Sequence, residues 1–111
     1  DHVTDFLVAD GDTLSFGLDV GAGGNYAEGA FEADFLTAWT AANAAFQADN
    51  NVQYYATGSN DASDNDNAIG ENGPVALVFV NANGDDFADG VVALTGDIQD
   101  DLSNFGFGQI V

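Results

Sequence analysis

Val75-Ala76-Leu77-Val78-Phe79-Val80, followed at residues 91–95 by Val-Val-Ala-Leu-Thr, decides the fold. The first run is continuous in apolar residues, rich in β-branched Val, and opened by Pro74. Those features predict a central strand buried on both faces. The second run predicts its antiparallel neighbour, and residues 81–90 become an insert between the two.

Working outward, Asp97 can cap a short helix ending near Asn104, and Phe105, Phe107, Ile110 and Val111 form an apolar terminus. On the other side, Val52 to Thr57 reads as a strand, with the polar loop 58–73 leading on to Pro74. That loop carries Asp61, Asp64, Asp66 and Glu71, and reads either as a solvated excursion or as a cation site. From Ala27 to Ala48, Phe31, Phe35, Leu36, Trp39, Ala42 and Phe46 recur at steps of three or four, apart from the adjacent pair Phe35-Leu36, in an Ala-rich background. This is one stripe of an amphipathic helix, with Trp39 expected in the core and Asn25 and Glu28 as a reciprocal cap. Val3, Phe6 and Val8, then Leu14, Phe16 and Leu18, alternate on either side of Ala9-Asp10-Gly11-Asp12 and predict a hairpin. The sum is an α+β fold: an antiparallel sheet of about five strands, one long amphipathic helix packed on it and a short C-terminal helix. At 111 residues, 1–111 is expected to form one acidic calcium-binding or structural domain.

Nineteen acidic residues stand against no Lys, no Arg and a single His, a formal net charge of -19. Self-repulsion on that scale opposes compaction and calls for screening salt or bound cations. The same field excludes nucleic acid and anionic membrane surfaces as partners, because those need Lys and Arg to neutralise phosphate. With 46% hydrophobic residues, nine of them Phe, the chain is too apolar for a disordered acidic tail. Asp greatly outnumbers Glu and sits among Gly and Asn, which suits calcium-binding turns, with a halophile's solvating surface as the alternative. There is no Cys, and no run of eighteen apolar residues to span a membrane. A start at Asp1, without Met or a basic leader, is expected of a fragment or a processed product.

Chemistry concentrates in the insert. Asn81, Asn83 and Asp85 place oxygen side chains at alternate positions, followed by the Phe87 carbonyl and the Asp89 carboxylate. These are the first five ligand offsets of an EF-hand-type calcium loop, whose turn aims every second side chain at one centre. Asp86 stands where that loop has Gly, and Val92 where it has a bidentate Glu, so calcium affinity is expected on the order of 10⁻⁴–10⁻³ M. A solvated hairpin loop is the competing reading. Asp1, Asp5, Asp10 and Asp12 form a second acidic cluster, either a ligand set or a solvated face. Catalysis finds little support, and a hydrolase fragment is only a minor third reading, since His2 is the lone near-neutral base and the Gly-rich stretch 21–24 lacks the Lys of a phosphate loop.

Three stretches resemble the C-terminal region of RTX-type proteins exported by bacterial type I secretion. Asp1-His2-Val3-Thr4-Asp5-Phe6 with Gly11-Asp12-Thr13-Leu14-Ser15-Phe16 is similar to the segment that follows the last calcium repeats in that family. Residues 77–96 are similar to its apolar strand, Asp-Thr-Asn-Gly-Asp-Gly-x-Ala-Asp loop and following strand. Asp100, Asp101, Phe105, Ile110 and Val111 are similar to its acidic-then-apolar tail. The resemblance covers about half of the chain. It implies calcium as cofactor, an extracellular or cell-surface location, folding after export, and Asp1, Asp5, Asp12, Asn83, Asp85 and Asp89 at matching acidic or polar positions. The chain departs from the pattern at Asn81 and Asp86 and lacks the Gly-rich nonapeptides. The expectation is therefore a non-enzymatic extracellular calcium-binding module whose partners are upstream domains of one precursor. The alternative is a self-assembling subunit of a filament or surface layer, with calcium between acidic copies.

Overall fold

The computed structural model describes residues 2–61, 75–96, 102–103 and 105–111. Strand β1 (His2–Phe6) is followed by β2 (Tyr26–Asp34), helix α1 (Phe35–Ala48), β3 (Tyr54–Asp61), β4 (Val75–Val80) and β5 (Gly90–Gly96). They form one sheet in the order β1-β5-β4-β3-β2. The fold is α+β, but the sheet is mixed. β3, β4 and β5 pair antiparallel at its centre, whereas β1 runs parallel to β5 and β2 parallel to β3. This corrects the expected antiparallel arrangement, for a physical reason: β2 and β3 are joined through α1, and a helical crossover returns the chain in the direction it left.

Every residue of β4 is buried, as expected of a strand covered on both faces. Val75, Leu77 and Phe79 pack against Ala38, Ala42 and Phe46 of the helix, together with Val52 and Ala93. Ala76, Val78 and Val80 point the other way and pack with Phe6, Leu14, Tyr54, Leu94, Leu102, Phe105 and Ile110.

The long helix is shorter than its sequence pattern. Residues 26–34 are strand, with helical geometry starting at Phe35. Alanine and glutamate favour helix locally, but pairing with β3 from Tyr26↔Tyr54 to Asp34↔Asp61 overrides that preference. A register shift between Glu28 and Phe31 interrupts the ladder, and the buried Thr57 hydroxyl donates to the Ala30 carbonyl there (2.7 Å). Asp34 is the true N-cap, its carboxylate accepting from the Thr37 amide (2.8 Å). Asn25, expected as the cap, instead closes the glycine-rich turn: its Oδ1 accepts from Ala22 N and its Nδ2 donates to Val20 O. Trp39, expected in the core, is 43% exposed, because Ala38, Ala42 and Phe46 carry the buried stripe.

The expected first hairpin is absent. Val8–Asp10 form a 3-10 turn ended by Gly11 at φ 84°, a left-handed conformation that glycine reaches without steric cost. The chain then crosses the sheet face, where Leu14 bridges in parallel to Ile110. The short helix expected over 97–104 falls mostly outside the described residues. Among those described, the tail holds a single 3-10 turn at Phe107–Gln109.

Candidate functional site

The connection from β4 to β5 is built from its own oxygens. Asn81, 1% exposed, donates from Nδ2 to the Asp85 carbonyl and accepts at Oδ1 from the Gly84 amide (3.1 Å). Asn83 Oδ1 accepts from Asp85 N (3.2 Å), and Asp85 Oδ1 accepts from Phe87 N (3.0 Å). Asp89 Oδ2 reaches back to the amides of Ala82 (2.7 Å) and Asn83 (3.3 Å), while Asp89 N donates to Val80 O (2.7 Å). The alternate positions 81, 83, 85 and 89 are thus brought into one turn by side-chain bonds to backbone amides, as short Asn and Asp side chains do. The left-handed residue is Gly84 (φ 74°), two positions before the glycine of an EF-hand loop. Asp86, at that later position, is exposed.

The loop is also anchored from outside. Ala88 N donates to Asn43 Oδ1 on α1 (2.8 Å), and Gln47 Nε2 donates to the Asp86 carbonyl (3.4 Å). Neither Asn43 nor Gln47 was singled out by the sequence reading. The available signal was two amide side chains four residues apart, on the same helix as Phe35 and Trp39.

Chemically, the turn brings together two carboxylates, those of Asp85 and Asp89, with the Asn83 amide oxygen and several carbonyls, and the exposed Asp86 stands beside them. Asp85 and Asp89 each have one oxygen committed to backbone amides in the bonds above, leaving the second oxygen as a donor for a hard cation. Asn81 departs most from the expected set: its side chain is buried and braces the turn from within. The Phe87 ring is 58% exposed. Among the described residues, no group of three or more His, Asp or Glu side chains converges closely enough to hold a metal by itself. Ligation here would need the Asn83 oxygen and the Phe87 carbonyl as well.

The second expected cluster is only partly in view. Asp12 Oδ2 accepts from Leu7 N (2.9 Å) and fixes the turn after β1. Asp10 is exposed, Asp5 lies in β1, and Asp1 lies outside the described residues, as do Asp64, Asp66 and Glu71.

Three tyrosines carry the resolved electrostatic shifts. Burial raises the Tyr26 hydroxyl well above its ordinary range, reinforced by its bond to Glu28 Oε2 (2.7 Å) and that residue's charge. Tyr54 is raised by burial and then by Asp19, and Tyr55 by burial and then by Glu32. All three stay neutral donors in the folded chain at physiological pH.

Comparison of the chain with protein-family models, curated proteins and solved structures finds no match.

Proposed function

We propose that this chain is a calcium-binding structural module of an exported bacterial protein, similar to the C-terminal part of RTX-type proteins, and that it is not an enzyme. The observation that carries the reading is the β4–β5 turn, where Asn83, Asp85 and Asp89 are gathered by amide bonds at an exposed corner of a chain with a net charge of -19. A cation bound there cancels local repulsion between carboxylates that no Lys or Arg can neutralise. Asp85, Asp89, Asn83 and the Phe87 carbonyl are its ligands, Asn81 holds the turn in shape, and Asp1, Asp5 and Asp12 form a second, weaker site.

Calcium titration of thermal unfolding tests this directly. Calcium at a hundredfold excess over its Kd should add about 2.7 kcal/mol, and chelation should remove it. Asp85→Ala should abolish most of that gain and Asp12→Ala little. Identical melting curves in calcium and in chelator at equal ionic strength would defeat the proposal.

A second reading, self-assembly into a filament or surface layer, is favoured by the nine-residue strand β2 at one edge of the sheet. Among the described residues β2 has β3 as its sheet neighbour on one side, and an edge strand can add a strand from a neighbouring copy. Sedimentation in calcium at high protein concentration separates the readings, because a persistent monomer rules out assembly by this chain alone.

A further inference from the structure

The second half of the β4–β5 turn is held one peptide group at a time. Phe87 N donates to Asp85 Oδ1 (3.0 Å), which fixes the group joining residues 86 and 87. Asp89 N donates to Val80 O (2.7 Å), which fixes the group joining 88 and 89. Both acceptors belong to β4 or to the turn itself. The group between them is different, because Ala88 N donates to Asn43 Oδ1 (2.8 Å), a partner from the middle of α1. A trans peptide is planar, with its C=O and N–H pointing in opposite directions. With the Ala88 N–H aimed at the helix, the Phe87 carbonyl of the same group is aimed away from it. Among the described residues that carbonyl accepts no hydrogen bond. Asn43 is also an unfavourable choice for the helix alone: it stands between Ala41-Ala42 and Ala44-Ala45, and Asn is a poorer helix former than Ala.

We infer that Asn43 is a positioning residue for calcium at this turn: it sets the direction of the Phe87 carbonyl, and through it the affinity of the site. The inference rests on the reading of the turn as a calcium site. Among the described residues no three His, Asp or Glu side chains converge there, so the shell depends on neutral oxygens, the Phe87 carbonyl among them. A carbonyl whose own peptide group can rotate is lost to the shell for part of the time. One held through the neighbouring N–H is oriented before the ion arrives. The same bond polarises the peptide group and makes its oxygen a stronger donor to the ion. Outer partners that orient a ligand in this way change metal affinity by about 10–100-fold. Gln47 supplies the contrast, because its Nε2 donates to the Asp86 carbonyl (3.4 Å), an oxygen outside the proposed shell.

The experiment titrates calcium into the wild-type chain, Asn43→Ala, Asn43→Asp and Gln47→Ala by calorimetry at constant ionic strength. Asn43→Ala should weaken binding by about tenfold or more, with unchanged circular dichroism. Asn43→Asp keeps an acceptor oxygen at the same reach and should restore binding at least to near the wild-type value. Gln47→Ala also removes one bond between α1 and the turn, yet should leave the affinity unchanged. Without calcium, hydrogen exchange at the Ala88 amide should be slow in the wild type and in Asn43→Asp, and faster in Asn43→Ala. Equal losses in Asn43→Ala and Gln47→Ala would make Asn43 an ordinary anchor and overturn the inference. So would wild-type affinity in Asn43→Ala, no rescue by Asn43→Asp, or Ala88 exchange that Asn43→Ala does not change. In each of those outcomes the wild type still binds calcium and the reading of the turn stands. A wild-type chain that binds no calcium would sink that reading, and the inference with it.

Discussion

The two faces of the sheet are closed by different means. On one face a regular helix supplies Ala38, Ala42 and Phe46, positions four apart that form a single stripe against Val75, Leu77 and Phe79. On the other, chain without long regular structure supplies Leu14, Leu102, Phe105 and Ile110 against Ala76, Val78 and Val80. The helical face is stitched by the 3.6-residue period and its backbone satisfies itself. The opposite face must find backbone partners case by case: Leu14 N donates to Gln109 O (2.7 Å), Val111 N to Leu14 O (2.8 Å) and Gly21 N to Ile110 O (2.9 Å). A face closed by irregular chain is therefore held by long-range hydrogen bonds as much as by apolar burial.

Core truncations make the strongest attack on that contrast. Phe46→Ala should cost about 3–5 kcal/mol, since rigid helix and sheet cannot collapse into the space. Ile110→Ala should cost less, about 2–3 kcal/mol, because looser chain can follow. Denaturant unfolding of both variants measures the difference, and equal costs would mean that the two faces are equally rigid.

Alkaline pH separates the faces chemically. Tyr26 and Tyr54 pack on the irregular face and Tyr55 on the helical one, and all three are raised in the folded chain. Below pH 10 both states hold these protons and nothing changes. Above it the unfolded chain loses them first, so stability falls, by about 1.4 kcal/mol per pH unit for each proton still held by the native state. Tyr26→Phe should flatten this fall more than Tyr55→Phe does, as read by unfolding between pH 9 and 11 on the order of the ordinary tyrosine range.

Glycine positions give a smaller effect. A Cβ on buried Gly58 would meet three atoms of the Phe31 ring, so Gly58→Ala should cost about 1–3 kcal/mol. On the helical side, a Cβ on Gly29 meets the ring only at its Tyr55 hydroxyl end, which can swing aside at lower cost. The smallest effect expected is Asp34→Ala, which removes the α1 cap and should cost about 1 kcal/mol. A loss well above that, by the same denaturant measurement, would make Asp34 more than a cap.

The sequence by itself determined the centre: six apolar residues at 75–80, their partner at 91–95 and an oxygen-rich turn between them. Local chemistry suffices there, because a strand buried on both faces must be apolar throughout, and a hairpin partner lies close along the chain. It also located the acidic turn, whose alternate oxygens are gathered by bonds within a few residues. Tertiary structure alone decided the rest. Residues 26–34 have the composition of a helix and become an edge strand because β3 offers a ladder. Residues 13–18 alternate like a strand and yet cover a face, since the edge beside β5 is taken by β1. The contacts of Phe35 with Phe79 and of Asn43 and Gln47 with the β4–β5 turn join a helix, a strand and a loop, and residues so far apart along the chain leave no local pattern by which their meeting could be read.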